Sequence, residues 1–188
     1  MKKLIILVTL AVVFLSFGQE IEVTQSNPFK NSLGIRFSNI TGYGLSFSRQ
    51  IFDNYTFKAG GIVFYDEYIK GNNDSIIQDT KNIIYDYGFE LQRNFFKSGN
   101  TRVYMLGGIY FANEQNKDEW NGVASTDQYE DIIAGGVGIG VEFTFKSRFG
   151  LNIDFGYKFE NSEGEEEGIP VTKNNTQLGL GIGLSYLY

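Results

Sequence analysis

The sequence predicts an all-β chain: eight antiparallel strands, connected up and down, closed into a barrel whose apolar face looks outward. Three observations predict it. Apolar residues alternate with small or polar ones in eight separate stretches, and a period of two marks a strand with one apolar face. After a short first turn, the connections between these stretches alternate in length, short on one side and long on the other. The last stretch, Leu178 to Tyr188, runs apolar by twos to an aromatic terminus, with Gly179, Gly181, Gly183 and Ser185 between.

Composition agrees. The 188 residues include 17 Phe, 12 Tyr and 23 Gly but only two Pro, a balance that leans to strands and suits one domain. The absence of Cys excludes disulfides, thiolate metal sites and a lipidated N-terminal cysteine. The absence of His excludes Ser-His or Cys-His catalysis and imidazole zinc sites. No cofactor is expected. A net charge of -6 argues against nucleic acid, whose phosphates call for a basic face.

Residues 1–18 read as a cleaved signal peptide: Lys2 and Lys3, an apolar core from Leu4 to Phe17, then Ser16 and Gly18 before Gln19. The core is short of the about 20 residues that a spanning helix needs. Residues 19–31, with Pro28, form an irregular lead-in, and the barrel occupies 32–188.

Strand one, 32–39, shows Leu33, Ile35 and Phe37 on one face. Strand two, 43–51, shows Tyr43, Leu45 and Phe47, after a short turn at Asn39–Gly42. Strand three, 55–66, sets Tyr55, Phe57, Val63 and Tyr65 outward and Lys58, Ile62 and Phe64 inward. A polar loop, 67–81, carries the turn signal Gly71-Asn-Asn-Asp74. Strand four, 82–93, alternates Tyr85, Tyr87, Phe89 and Leu91 with Asp86, Gly88 and Glu90. Strand five, 102–112, is apolar on both faces; Val103, Met105, Ile109 and Phe111 are taken as outward. A polar loop, 113–129, holds Trp120, the only tryptophan. Strand six, 131–145, faces Ile133, Val137, Ile139 and Val141 outward and Gly136, Gly138, Gly140 and Glu142 inward. Strand seven, 149–160, opposes Leu151, Ile153 and Phe155 to Asn152, Asp154 and Lys158, before an acidic loop, 161–175, and the closing strand.

A soluble sandwich or lipocalin-like barrel would also alternate, with its apolar face inside. Two features favour the inverted arrangement. Short connections after strands two, four and six, and long ones after three, five and seven, match periplasmic turns and extracellular loops. Aromatics also gather at both strand ends, with Leu, Ile and Val between, as two membrane interfaces require. The expected fold is therefore an eight-stranded antiparallel transmembrane β-barrel. Its charged face then lies in a narrow lumen, where charges must pair. Arg36, Lys58 and Lys158 facing Asp86, Glu90, Glu142 and Asp154 are expected to form an internal ion-pair network, with neighbouring glycines leaving room, and so to plug the lumen. Asp86 and Glu90 lie about 13 Å apart along one strand, too far to act as an acid–base pair.

The leader, the eight alternating strands and the terminal Leu184-Ser-Tyr-Leu-Tyr188 resemble small outer-membrane β-barrel proteins of the outer-membrane protein A and X type. The Gly/Tyr/Phe/Asn-rich character and Gln19 are similar to Bacteroidetes-type versions. The resemblance implies a monomer in a Gram-negative outer membrane, both termini periplasmic, meeting lipid and lipopolysaccharide. It also implies that Leu180, Ile182, Leu184, Tyr186 and Tyr188 serve as the signal read by the barrel-assembly machinery. No peptidoglycan-binding domain is implied. Outer-membrane barrel enzymes of the lipid A-modifying and phospholipase types resemble this scaffold but rely on His, so no enzymatic role is expected. The role expected is membrane-structural or surface-interacting through the acidic loops; a narrow channel or an accessory barrel of a secretion complex are the alternatives. Asp118, Glu119, Trp120, Glu165, Glu166 and Glu167 are the candidate contacts. The acidic loops match no calcium-loop spacing and read as solvated surface.

Overall fold

The computed structural model describes residues 29–72, 75–120, 123–145, 148–166 and 169–188. The leader and most of the lead-in lie outside these residues. Eight strands follow in order: β1 (Asn31–Ser38), β2 (Gly42–Phe52), β3 (Tyr55–Asn72), β4 (Ser75–Ser98), β5 (Thr101–Trp120), β6 (Val123–Phe145), β7 (Phe149–Glu166) and β8 (Ile169–Leu187). Each pairs antiparallel with the next, and β8 returns to β1, so the sheet closes on itself. The barrel begins one residue earlier than expected. Asn31 belongs to β1, and its N–H and C=O exchange bonds with Tyr188 at 3.2 and 2.9 Å, locking first residue to last.

The expected polarity of the two faces holds. Among the described residues the buried side chains include fifteen polar or charged ones against seven hydrophobic ones. Leu, Ile, Val and Phe from every strand are exposed on the outside. On β5 the outward set is the chosen one: Tyr104, Leu106, Tyr110 and Ala112 are buried, while Val103, Met105, Ile109 and Phe111 face out.

The long connections are not loops. The stretches 67–81, 113–129 and 161–175, read from sequence as polar loops, extend β3 to β8 as ladders that close at Asn72↔Ser75, Trp120↔Val123 and Glu166↔Ile169. These extensions carry polar residues on both faces, so no apolar/polar alternation marks them as strands. At about 3.3 Å per residue, the 24 residues of β4 reach roughly 80 Å, while the eight of β1 reach roughly 26 Å. Six strands therefore project well past the β1–β2 hairpin.

This leaves a notch. The β2–β3 ladder ends at Leu45↔Gly61 and the β1–β8 ladder at Ser38↔Gly181, while β3–β4 and β7–β8 continue upward. Ile62 and Phe64, expected inside, are 42% and 51% exposed because they sit on this notch, beyond the last β2 partner.

Candidate functional site

The interior is the first candidate. All seven residues of the expected ion-pair network are buried, on β1, β3, β4, β6 and β7. Arg36 reaches across the lumen to Glu90, Nη1 to Oε2 at 2.5 Å. Glu90 also accepts from Thr41 Oγ1 at 2.7 Å and Gln92 Nε2 at 2.5 Å, so one carboxylate ties β1, β4 and the β1–β2 turn together. Lys58 is its direct cross-strand partner. Asp154 accepts from Tyr104 Oη at 2.5 Å and Asn152 Nδ2 at 3.1 Å.

Other partners differ from expectation. Glu142 binds Arg102, Nε to Oε1 at 2.8 Å and Nη2 to Oε2 at 2.9 Å, a two-pronged match of guanidinium to carboxylate. Arg102 was not among the residues singled out, although hairpin register sets it opposite Glu142. Lys158 pairs with Glu160, two residues along its own strand, and lies 4.9 Å from the Tyr110 ring centroid. Asp86 stands apart: it takes the backbone N–H of Tyr43, and its Oδ1 meets no partner.

The β1–β2 turn supplies what alternation could not reveal. Ile40 and Thr41 fold into the barrel, with Ile40 packed against Tyr104 and Leu106 in a cluster at most 2% exposed. Ser38 Oγ accepts both turn amides, from Ile40 at 3.2 Å and Thr41 at 3.3 Å. The Thr41 carbonyl accepts from Arg36 Nη2 at 2.7 Å. Gly42 and Gly44, with φ of 96° and 110°, turn the chain back out through backbone angles that side chains disfavour. Space for the turn comes from β6 and β8, because a Cβ on Gly136 or Gly179 would collide with Ile40. Gly140 instead makes way for Asp154 and Tyr104, as the charge-accommodating reading of these glycines requires. The signal was present in the sequence as an isolated Ile in a polar turn followed by Gly42 and Gly44.

The closing strand places Leu180, Ile182, Leu184 and Tyr186 outward and exposed, with Tyr188 exposed just beyond its end. Opposite them Gly183 pairs with Arg36 and Gly181 with Ser38.

The second candidate is the projecting sheet. The backbones of Asp118, Glu119 and Trp120 lie in β5 and that of Glu166 in β7; their side chains, and Glu167 altogether, fall outside the described residues. Glu165 lines a cleft of about 160 Å³ at the barrel mouth with Glu114, Glu130, Tyr129 and Lys173. Among the described residues no group of acidic side chains is arranged to hold a metal ion.

No family model matches the chain. No curated protein matches it either. Similar solved structures include the N-terminal β-barrel domain of Pseudomonas aeruginosa OprF, 14% identical, covering 88% of this chain and 100% of that one at a TM-score of 0.45. A major outer membrane protein from Thermus thermophilus is 9% identical, with coverages of 86% and 100% and a TM-score of 0.48. Neisserial surface protein A is 18% identical, with coverages of 85% and 94% and a TM-score of 0.42. At these identities and scores, what those proteins do does not transfer to this chain. The fold rests on the closed ladder described above.

Proposed function

We propose that the chain is an integral barrel of a Gram-negative outer membrane. It would be monomeric and non-enzymatic, with a closed lumen, and would present its projecting acidic hairpins to the outside. One observation carries this reading. The outward face from Leu33, Ile35 and Phe37 round to Leu180, Ile182 and Leu184 is apolar and exposed, while the charges lie inside. In water such a surface would be a contiguous apolar patch far larger than soluble monomers expose. In hydrocarbon it is the surface that a closed sheet needs, since within the closed ring the main chain is bonded strand to strand and lipid meets apolar side chains.

Orientation follows from the hairpins. The short turns go to the periplasmic side with both termini, and the long hairpins go outside, toward lipopolysaccharide. Leu180, Ile182, Leu184, Tyr186 and Tyr188 then form the lipid-facing side of the last strand, the natural element for assembly machinery to grip. Support for a closed lumen comes from Ile40, Tyr104 and Leu106 packing together inside it, beside the buried Arg36–Glu90 pair.

Membrane fractionation, followed by gel migration of heated and unheated samples, tests the reading. The folded barrel is expected in the outer-membrane fraction, with a heat-dependent shift; a soluble protein without the shift would sink it. A second reading, a narrow channel, draws support from the polar lining and from Asp86 Oδ1 and Gln92 Oε1, which are buried without hydrogen-bond partners. Stable single-channel openings in planar bilayers would decide for the channel.

A further inference from the structure

We propose that the notch above the β1–β2 hairpin is a docking site for a basic β-hairpin of a partner protein, which completes the projecting sheet by strand addition. The proposal rests on the long hairpins being the outward-presented end.

Two strands are missing where the ring would otherwise continue. Past the end of the hairpin at Ser38↔Gly42, the β3 and β8 edges face each other across the places β1 and β2 would occupy. Three inter-strand spacings of about 4.8 Å give a gap of roughly 14 Å, room for two strands. The edges run in opposite directions, so the two arms of one hairpin can lie antiparallel to both.

The hydrogen-bonding sides are fixed by the ladders below. The Asn94 amide donates to the Asn54 carbonyl at 2.8 Å, which assigns even-numbered β3 residues to β4 and turns the main chain of Val63, Glu67 and Ile69 toward the notch. The Asn31–Tyr188 exchange likewise turns Thr172, Thr176 and Leu178 of β8 toward it. At the lowest rung the protein already performs the substitution itself. Asn39, just past the end of β1, donates its N–H to the Leu180 carbonyl at 3.2 Å, and its Oδ1 accepts the Leu180 N–H at 2.7 Å. One side-chain amide thus stands in for a strand. Above it the rungs continue without a β1 partner.

Chemistry selects the occupant. Exposed edges are usually blunted by Pro or Lys. β8 carries both Pro170 and Lys173, whereas β3 has Lys70 near its tip but no proline, and exposes Val63 at 66% and Ile69 at 55%. The cleft that reaches the β8 side of the notch carries Glu114, Glu130 and Glu165 against one lysine, Lys173. A strand carrying Lys or Arg on its inward face meets both the acidic excess and the bonding edge. A second copy of this chain is disfavoured, because its own hairpins are acidic and its net charge is -6. Main-chain bonds would supply affinity, and the basic side chains selectivity.

The test uses the whole protein in lipid nanodiscs. The probe is a dye-labelled synthetic hairpin of alternating Lys and Val with an Asn-Gly turn, followed by fluorescence anisotropy. Saturable one-to-one binding is expected, lost at least tenfold when alternate amides of the probe are N-methylated, which keeps its charge but removes its donors. The same loss is expected for the double variant Glu67→Pro/Ile69→Pro, whose prolines sit where no ladder bond is made. Glu114→Gln with Glu130→Gln should weaken binding and flatten its salt dependence. Equal binding of parent and N-methylated probes would overturn the proposal in favour of charge alone. Absence of binding in nanodiscs alongside binding in detergent would give the notch to lipid. Heated and unheated gel migration of each sample keeps the outcomes apart. A missing shift sinks the membrane reading, whereas a normal shift without binding sinks only strand addition.

Discussion

Replacing Glu90 with Ala should be among the most destabilising changes this barrel can take. The side chain is fully buried and receives three donors, from Arg36, Thr41 and Gln92. Its loss leaves the Arg36 guanidinium in a closed interior with only the Thr41 carbonyl, beside the equally buried Lys58. Removing one partner of a buried ion pair costs about 3–5 kcal/mol, because the other charge stays desolvated and uncompensated. Replacing both with apolar groups of similar volume is often neutral. Arg36→Met together with Glu90→Leu should therefore cost less than either single change, a strongly non-additive cycle. The pair lies out of solvent, so molar KCl should leave the difference intact. Urea unfolding of the refolded protein in lipid vesicles, followed by fluorescence and gel shift, gives the four free energies. Single-variant losses below about 1 kcal/mol, or a double variant as unstable as the sum, would refute the view that Arg36 and Glu90 act as one buried unit.

Ile182→Arg places a charge on the outward face of β8 and should cost about 2–4 kcal/mol in the bilayer, measured by the same unfolding assay. Gly44→Ala forces a side chain into φ of 110° against the Gly61 carbonyl, and should lose about 1 kcal/mol or more. Gly136→Val drives a side chain into Ile40 and should cost on the order of 1–3 kcal/mol. If the turn is what closes the mouth, the same variant should also conduct in planar bilayers where the parent does not. Tyr188→Asp should reduce insertion in cells while leaving refolding into detergent largely intact, read by fractionation beside in vitro gel shift.

The barrel was legible because lipid imposes a strict period of two, and Leu33, Ile35 and Phe37 or Leu180, Ile182 and Leu184 show it without interruption. Past the apolar band that constraint vanishes. Glu114, Gln115 and Glu163 are as well solvated in a strand as in a loop, so hairpins read as loops although the sequence before Ser75 announced its turn. Facing residues were visible and their partners only partly so. Arg36 and Glu90 meet because both are long and the lumen is narrow, but the choice of Arg102 by Glu142 depends on hairpin register, and that of Glu160 by Lys158 on side-chain reach. Ile40 escaped notice since no periodicity describes a single apolar residue in a turn; only the bare walls at Gly136 and Gly179 explain it.

That buried turn also constrains the order in which the molecule can be put together. Ile40 is gripped from β6 and β8, and Asn39 is bonded to Leu180, a residue 141 positions away. Contacts so distant in sequence form slowly, because most of the chain must be organised before they are rewarded. Once β8 has zipped to β1, paired main chain flanks the turn up to Ser38↔Gly181 and only the notch above it stays open. A turn left outside would leave Asn39 away from Leu180 and the seam short of its last rung.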